Sequence, residues 1–121
     1  MTMAQIVNTT TTKKEQPLEG RWRITDSSSW SPEDLDLAGP AFIVFERDGS
    51  GEMQLVAIEA TLDYRVSQRD GDWLVEFSWS GFDEGDEVSG RGSARIQGGL
   101  LKGKLFIHQG DSSTFVANYE D

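Results

Sequence analysis

The sequence predicts an all-β fold: an antiparallel up-and-down meander barrel of about eight strands, with one short helix after strand one. Three observations predict it. From residue 17 onward apolar and polar residues alternate with period two, the pattern of half-buried strands. Turn pairs such as Asp70-Gly71 and Gly98-Gly99 recur at short intervals between these runs. When neighbouring strands are paired across their turns, the large aromatics of one strand fall opposite glycines of the next, which suits a strongly curved sheet.

The elements follow in order. Gly20-Arg21-Trp22-Arg23-Ile24-Thr25 sets Trp22 and Ile24 on one face, so it is the first strand. Ser31-Pro32-Glu33-Asp34 is a helix start: a capping hydroxyl, proline at the first helical position, and acids where the helix dipole favours them. Gly39-Pro40 ends that helix. Ala41–Glu46 is a strand, Asp48-Gly49-Ser50-Gly51 a turn. Glu52–Ile58 and Thr61–Gln68 are strands around a tight connection at Glu59-Ala60, and Asp70-Gly71 leads into Trp73–Ser80. Gly81–Val88 reads as a longer acidic loop. Ser89–Gln97, Leu100–His108 and Ser113–Tyr119 complete the meander.

Directly opposite residues in a hairpin share a face. Centring the first of these turns on Glu59-Ala60 sets Met53 opposite Val66 and Leu55 opposite Tyr64. The next sets Tyr64 opposite Phe77 and Leu62 opposite Trp79. Across the acidic loop Phe77 meets Gly92 and Trp79 meets Gly90, and across Gly98-Gly99 Ala94 meets Gly103. All agree on one apolar face. For the last hairpin, a four-residue loop pairs Phe115 with Phe106, off that face, and a one-residue change in the loop reverses this.

Residues 1–16, with four consecutive threonines and Lys13-Lys14, read as a flexible tail; residues 17–121 form a single domain. Among the 121 residues, 21 are Asp or Glu and 11 are Lys or Arg, for a formal net charge of -10. Such a field disfavours nucleic acid and anionic membranes as partners. With no Cys and one His, thiol catalysis, disulfides and multi-His zinc sites are excluded, and no metal or cofactor is expected. No apolar run approaches the about 20 residues that cross a bilayer. Without an apolar signal-type segment, a cytoplasmic protein is expected.

Gly20-Arg21-Trp22 on the first strand, followed by a short helix and a meander, resembles the calycin group of lipocalins, fatty-acid-binding proteins and avidins. In those families a Gly-x-Trp opens strand one and the tryptophan closes one end of a ligand-binding barrel. The last strand, Thr114-Phe115-Val116-Ala117-Asn118-Tyr119, has neither the C-terminal arginine of lipocalins nor the Arg-x-Tyr clamp of fatty-acid binders. A second resemblance spans Gly20 to Ala117. Gly20-Arg21-Trp22-Arg23-Ile24, Asp48-Gly49-Ser50-Gly51-Glu52, Arg69-Asp70-Gly71, Glu76-Phe77-Ser78-Trp79, Ser89-Gly90-Arg91-Gly92 and Phe106-Ile107-His108-Gln109-Gly110-Asp111 are similar to blocks of small uncharacterised bacterial proteins. It implies a class and a source, and no activity.

Four groups of residues could carry function. Trp22, Tyr64, Phe77 and Trp79 share the expected interior, where they either fill the core or line a seat for a small apolar or amphipathic ligand. On the opposite face Asp63, Arg65, Glu76 and Arg91 form a patch of alternating charge, extended by Arg95, Lys102 and Lys104. It is either a solvated surface or a site where arginine forks grip a carboxylate. His108 and Asp111, beside Ser112 and Ser113, suggest nucleophilic catalysis, but the sequence has no Gly-x-Ser-x-Gly elbow, so turn chemistry is the plainer reading. The acidic segment Asp83-Glu84-Gly85-Asp86-Glu87 matches no calcium loop. The expected function is therefore a non-enzymatic small-molecule binding module of calycin type. A protein–protein interaction module, as a homodimer, is the alternative, and a small barrel isomerase or hydrolase using His108 with Asp111 is the third.

Overall fold

A computed structural model describes residues 18–120; the tail expected over residues 1–16 lies outside them. The described chain forms β1 (Gly20–Ser27), α1 (Pro32–Leu35), β2 (Phe42–Phe45), β3 (Ser50–Leu55), β4 (Ile58–Arg69), β5 (Asp72–Asp83), β6 (Asp86–Gln97), β7 (Leu100–Ile107) and β8 (Ser112–Glu120). Each strand pairs antiparallel with the next, and β1 also pairs with β8, so the sheet closes into a barrel. This is the eight-strand meander barrel with a short helix after strand one that the sequence predicts, and it is consistent with a calycin-like fold.

Closure depends on the long strands β4, β5 and β6. Their registers are those expected: Tyr64 opposite Phe77, Leu62 opposite Trp79, Phe77 opposite Gly92 and Trp79 opposite Gly90. A methyl group on Gly92 would run into the Phe77 ring and stand 2.9 Å from the Lys104 carbonyl oxygen; one on Gly90 would run into the Phe106 carbonyl oxygen and stand 2.8 Å from Trp79 Cζ2. The rings, together with the carbonyls of the neighbouring strand, occupy the volume that Cβ atoms would need, which lets the wall curl inward over the rings.

Three expectations are corrected. The β3–β4 turn lies at Val56-Ala57 instead of Glu59-Ala60, so Met53 faces Ala60 and Leu55 faces Ile58. Moving the turn by three residues shifts each partner by six, an even number, so the apolar face survives it. The acidic segment is a two-residue turn at Glu84-Gly85 between extended strands, with φ of 54° and 94° at its centre. Few apolar residues mark strands there because both faces near the barrel rim are partly exposed. Phe115 lies inside, opposite Gly103, because five residues separate the last β7–β8 pair, Phe106 and Ser112.

The two barrel ends are closed differently. At one end the Trp22 indole N–H donates to the Leu18 carbonyl (3.0 Å), the Tyr119 ring meets Trp22 edge-on at 5.2 Å, and Tyr64 Oη donates to the Glu46 carbonyl. At the other, the α1 segment lies against the β3–β4 turn. Ser31 Oγ caps the helix by accepting from the Asp34 amide. Leu35 is fully buried. Val56 donates its amide to Leu35 O (2.8 Å) and accepts from the Ala38 amide (3.2 Å). These two bonds hold Val56 at φ 56°, where a β-branched residue is strained.

Arg23 anchors the same segment. Its guanidinium donates to both carboxylate oxygens of Asp36 (2.9 and 2.7 Å), and the Ala41 amide donates to Asp36 Oδ1 (2.9 Å). The arginine hydrogen bonds, then that of the Ala41 amide, lower the Asp36 carboxyl from 3.8 to about 2. A depressed carboxylate contributes stability above its unfolded pKa, and loses it as pH falls through the folded value. Melting temperature should therefore drop between about pH 4 and pH 2, and Asp36→Asn should flatten that part of the curve. An unchanged acid limb in Asp36→Asn would show that the pair does not hold the lid.

Candidate functional site

Inside the barrel, Trp22, Tyr64, Phe77 and Trp79 belong to one packed core, as the registers place them. They keep 3, 7, 4 and 3 % of their surface. A ligand seat needs bare side-chain surface, and these four give theirs to one another and to Ile24, Phe45, Leu62, Val75 and Leu105. Phe45 meets Tyr64 and Phe77 edge-on at centroid distances of 5.0 and 6.3 Å. One interior feature stands apart. Among the described residues Trp79 Nε1 is buried and meets no acceptor, whereas Trp22 Nε1 is paired.

The outer wall of β2–β8 is a grid set by the registers. One row across it is Gln54, Glu59, Phe82 and Glu87. The next is Glu52, Thr61, Ser80 and Ser89, followed by Asp63, Ser78, Arg91 and Phe106. Then come Arg65, Glu76, Ser93 and Lys104, and last Ser67, Leu74, Arg95 and Lys102. Successive rows lie about 7 Å apart, the rise of two strand residues.

The first two rows border a groove of about 770 Å³ whose lining includes Phe42, Glu52, Glu59, Phe82 and Glu87 and no Lys or Arg. Phe82 stands 54 % exposed on it. The Phe42 ring is stacked under the Arg21 guanidinium, 3.9 Å away. Asp63, Arg65, Glu76 and Arg91, expected as a patch, come together in a second depression of about 460 Å³ beside Ser78 and Phe106. A third, of about 440 Å³, has Leu74, Phe115 and Val116 in its lining with Arg95, Lys102 and Lys104. The wall is therefore acidic at the β5–β6 turn end and basic toward the β4–β5 turn. Ion pairs among the described residues join Arg21 to Glu120, Arg23 to Asp36, Arg47 to Glu19 and Arg95 to Asp72. Arg65 and Arg91 are in none of them.

The structure places His108 and Asp111 in one loop without bringing their side chains together. Both are exposed in the β7–β8 loop, and no hydrogen bond joins them among the described residues. The loop is held by backbone: His108 donates its amide to Ser89 O (2.7 Å), and Ile107 donates its amide to Asp111 O (3.1 Å). Gln109 there has φ 61°. The acidic turn brings no set of metal ligands together among the described residues.

The groove was not among the expected sites. Its floor, Phe82, falls in the stretch that reads as a loop. Only the Glu84-Gly85 turn, which extends β5 and β6, puts it beside Glu59 and Glu87. Comparisons of the chain with protein-family models, with curated proteins and with solved structures find no match in any of the three.

The two buried tryptophans make a stability comparison. Phenylalanine removes similar volume at either place, but only at Trp22 does it strand a carbonyl, that of the buried Leu18. Trp22→Phe should cost about 1–2 kcal/mol more than Trp79→Phe, as a broken buried hydrogen bond does. Denaturant midpoints measure this; equal losses would contradict it.

Proposed function

We propose that the protein is a non-enzymatic recognition module of calycin shape that binds a polypeptide surface through the outer wall of β3–β6. One observation carries this reading. The aromatics inside the barrel are consumed by packing, while the large groove and the exposed Phe82 lie outside. A rigid closed sheet with an exposed aromatic in a depression, rimmed by charge, is suited to surface recognition. The glutamates on the groove give it a preference for cationic side chains.

A synthetic peptide of alternating lysine and phenylalanine is a direct probe, read by amide NMR shifts. Shifts should gather at Glu59, Thr61 and Phe82 and leave the Trp22 and Trp79 indoles in place. Phe82→Ala combined with Glu59→Gln should weaken binding at least tenfold. Equal binding by that variant, or no shifts at all, would defeat the reading.

A second reading keeps the ligand inside, and the unpartnered Trp79 N–H favours it. A small apolar or amphipathic molecule carrying an acceptor would satisfy that donor, with Trp22, Tyr64 and Phe77 moving aside. Native mass spectrometry of protein purified without unfolding should then show a bound mass that denaturation releases and that Trp79→Phe reduces. A bare mass in wild-type protein would remove this reading.

A further inference from the structure

We infer, resting on the outer wall as the recognition surface, that it holds one extended polypeptide segment of mixed charge. The segment is cationic where it meets the Phe82 groove and acidic from about 14 Å to about 27 Å further along. The three depressions form a line. β5 and β6 contribute to the lining of all three: Phe82 and Glu87 to the first, Ser78 and Arg91 to the second, Leu74 and Arg95 to the third. The first also draws on β3 and β4, and the third on β7 and β8, so the line slants from β4 toward β7 as it crosses the five rows.

Charge changes sign once along this line. Glu52, Glu59 and Glu87 border its start, and no Lys or Arg does. The neutral Ser80 and Ser89 follow. On the β6–β7 side Arg91, Lys104, Arg95 and Lys102 then take the last three rows, with Ser93 and the exposed Phe106 ring among them. The third depression has no Asp or Glu in its lining. Asp63 and Glu76 lie on the other side of the line, where Arg65 faces Glu76 across the strands. Arg95 is paired with Asp72 at 3.5 Å, but Arg91, Lys102 and Lys104 are in no ion pair among the described residues. In a chain of formal net charge -10, cations left without acids are open to an acidic partner.

Size and charge select a polypeptide. The cations cover three rows, about 14 Å, which is more than one small anion reaches. A nucleic acid strand would carry its charge on into Glu59 and Glu87 and be repelled there. An extended polypeptide presents same-face side chains about every 7 Å, the spacing of the rows, and about nine residues run the length of the line. Its wall-facing residues are then a cation at the groove, a neutral residue over Ser80 and Ser89, and acids over Arg91, over Lys104 and over the Arg95–Lys102 pair. Arginine forks suit those carboxylates.

Titration calorimetry and amide NMR on the full chain test this with synthetic nine-residue peptides. The probe carries lysine at its first position, threonine at its third, glutamate at its fifth, seventh and ninth, and serine elsewhere; it is made in that order and in the reverse order. A control of the same composition has lysine at the central position, over Arg91 in either direction. One order of the probe should bind and shift the amides of Phe82, Ser89, Ser93 and Lys104 together, and the control should bind about tenfold or more weakly. Arg91→Glu with Lys104→Glu should weaken the probe about tenfold or more, since two attractive contacts become repulsive, and should leave the lysine–phenylalanine peptide bound at Phe82. Both positions are exposed, so the melting temperature should stay put. A probe that binds in neither order, binds no better than its control, or is indifferent to the double variant overturns the inference. If the lysine–phenylalanine peptide still binds at Phe82 in any of these cases, the wall reading stands and only the mixed-charge partner is lost. If that peptide does not bind either, both fall.

Discussion

The opposition of Phe77 to Gly92 and of Trp79 to Gly90 is the constraint on which the barrel depends. A sheet with side chains on every inner position can curl only as far as its Cβ atoms allow. Here one strand gives up its side chains where its neighbour carries the largest ones, and the ring fills the space that backbone would otherwise have to vacate. The wall bends, β8 reaches β1, and no free edge remains. The cost is the conformational freedom of two glycines in the middle of a strand, offset by burial of two aromatic side chains.

That solution also decides what the interior can do. Aromatics recruited to bend the wall are held against glycines and against one another, so a ligand could enter only by displacing them. A barrel that carries a ligand inside needs inner surface left bare; this one closes each end with further packing instead. Trp22 and Tyr119 fill one end, and the α1 segment, fixed by Arg23–Asp36 and by both backbone groups of Val56, covers the other. The positive φ of Val56 belongs to this closure, since the two bonds that dock the segment are made by the strained residue itself.

The hairpins that rest on period-two alternation and Gly-centred turns were legible in the sequence. Asp70-Gly71 and Gly98-Gly99 announce their own positions, and the registers from β4 to β7 follow. The Val56-Ala57 turn was not legible, because neither residue has turn chemistry; it forms where α1 grips it, a tertiary effect. The Glu84-Gly85 turn was hidden by the polar strand ends around it. The charged patch of Asp63, Arg65, Glu76 and Arg91 could be read because it uses correct registers, while the Phe82 groove needed the strand extension. His108 and Asp111 were close in sequence, but proximity in a loop carries no mutual orientation, and backbone bonds account for that loop.

The placement of charge gives the net value of -10 a meaning that composition alone does not have. A chain this acidic repels its own copies at long range, and at low ionic strength that repulsion opposes any association. Most of the described cations outside the β1 region and the Arg47–Glu19 pair are nevertheless gathered on neighbouring positions of β4, β6 and β7, and the acids Glu52, Glu59 and Glu87 lie toward the other end of β3, β4 and β6. Exposed charges of this kind, even where Arg65 faces Glu76 across the strands, add little to the stability of the fold. They do create a surface dipole along the β4–β6 wall. Only a partner with the opposite sequence of charges can exploit it at short range while global repulsion keeps other contacts from forming. The two effects together favour one orientation over all others, which is a condition for specific recognition by a face with few apolar groups.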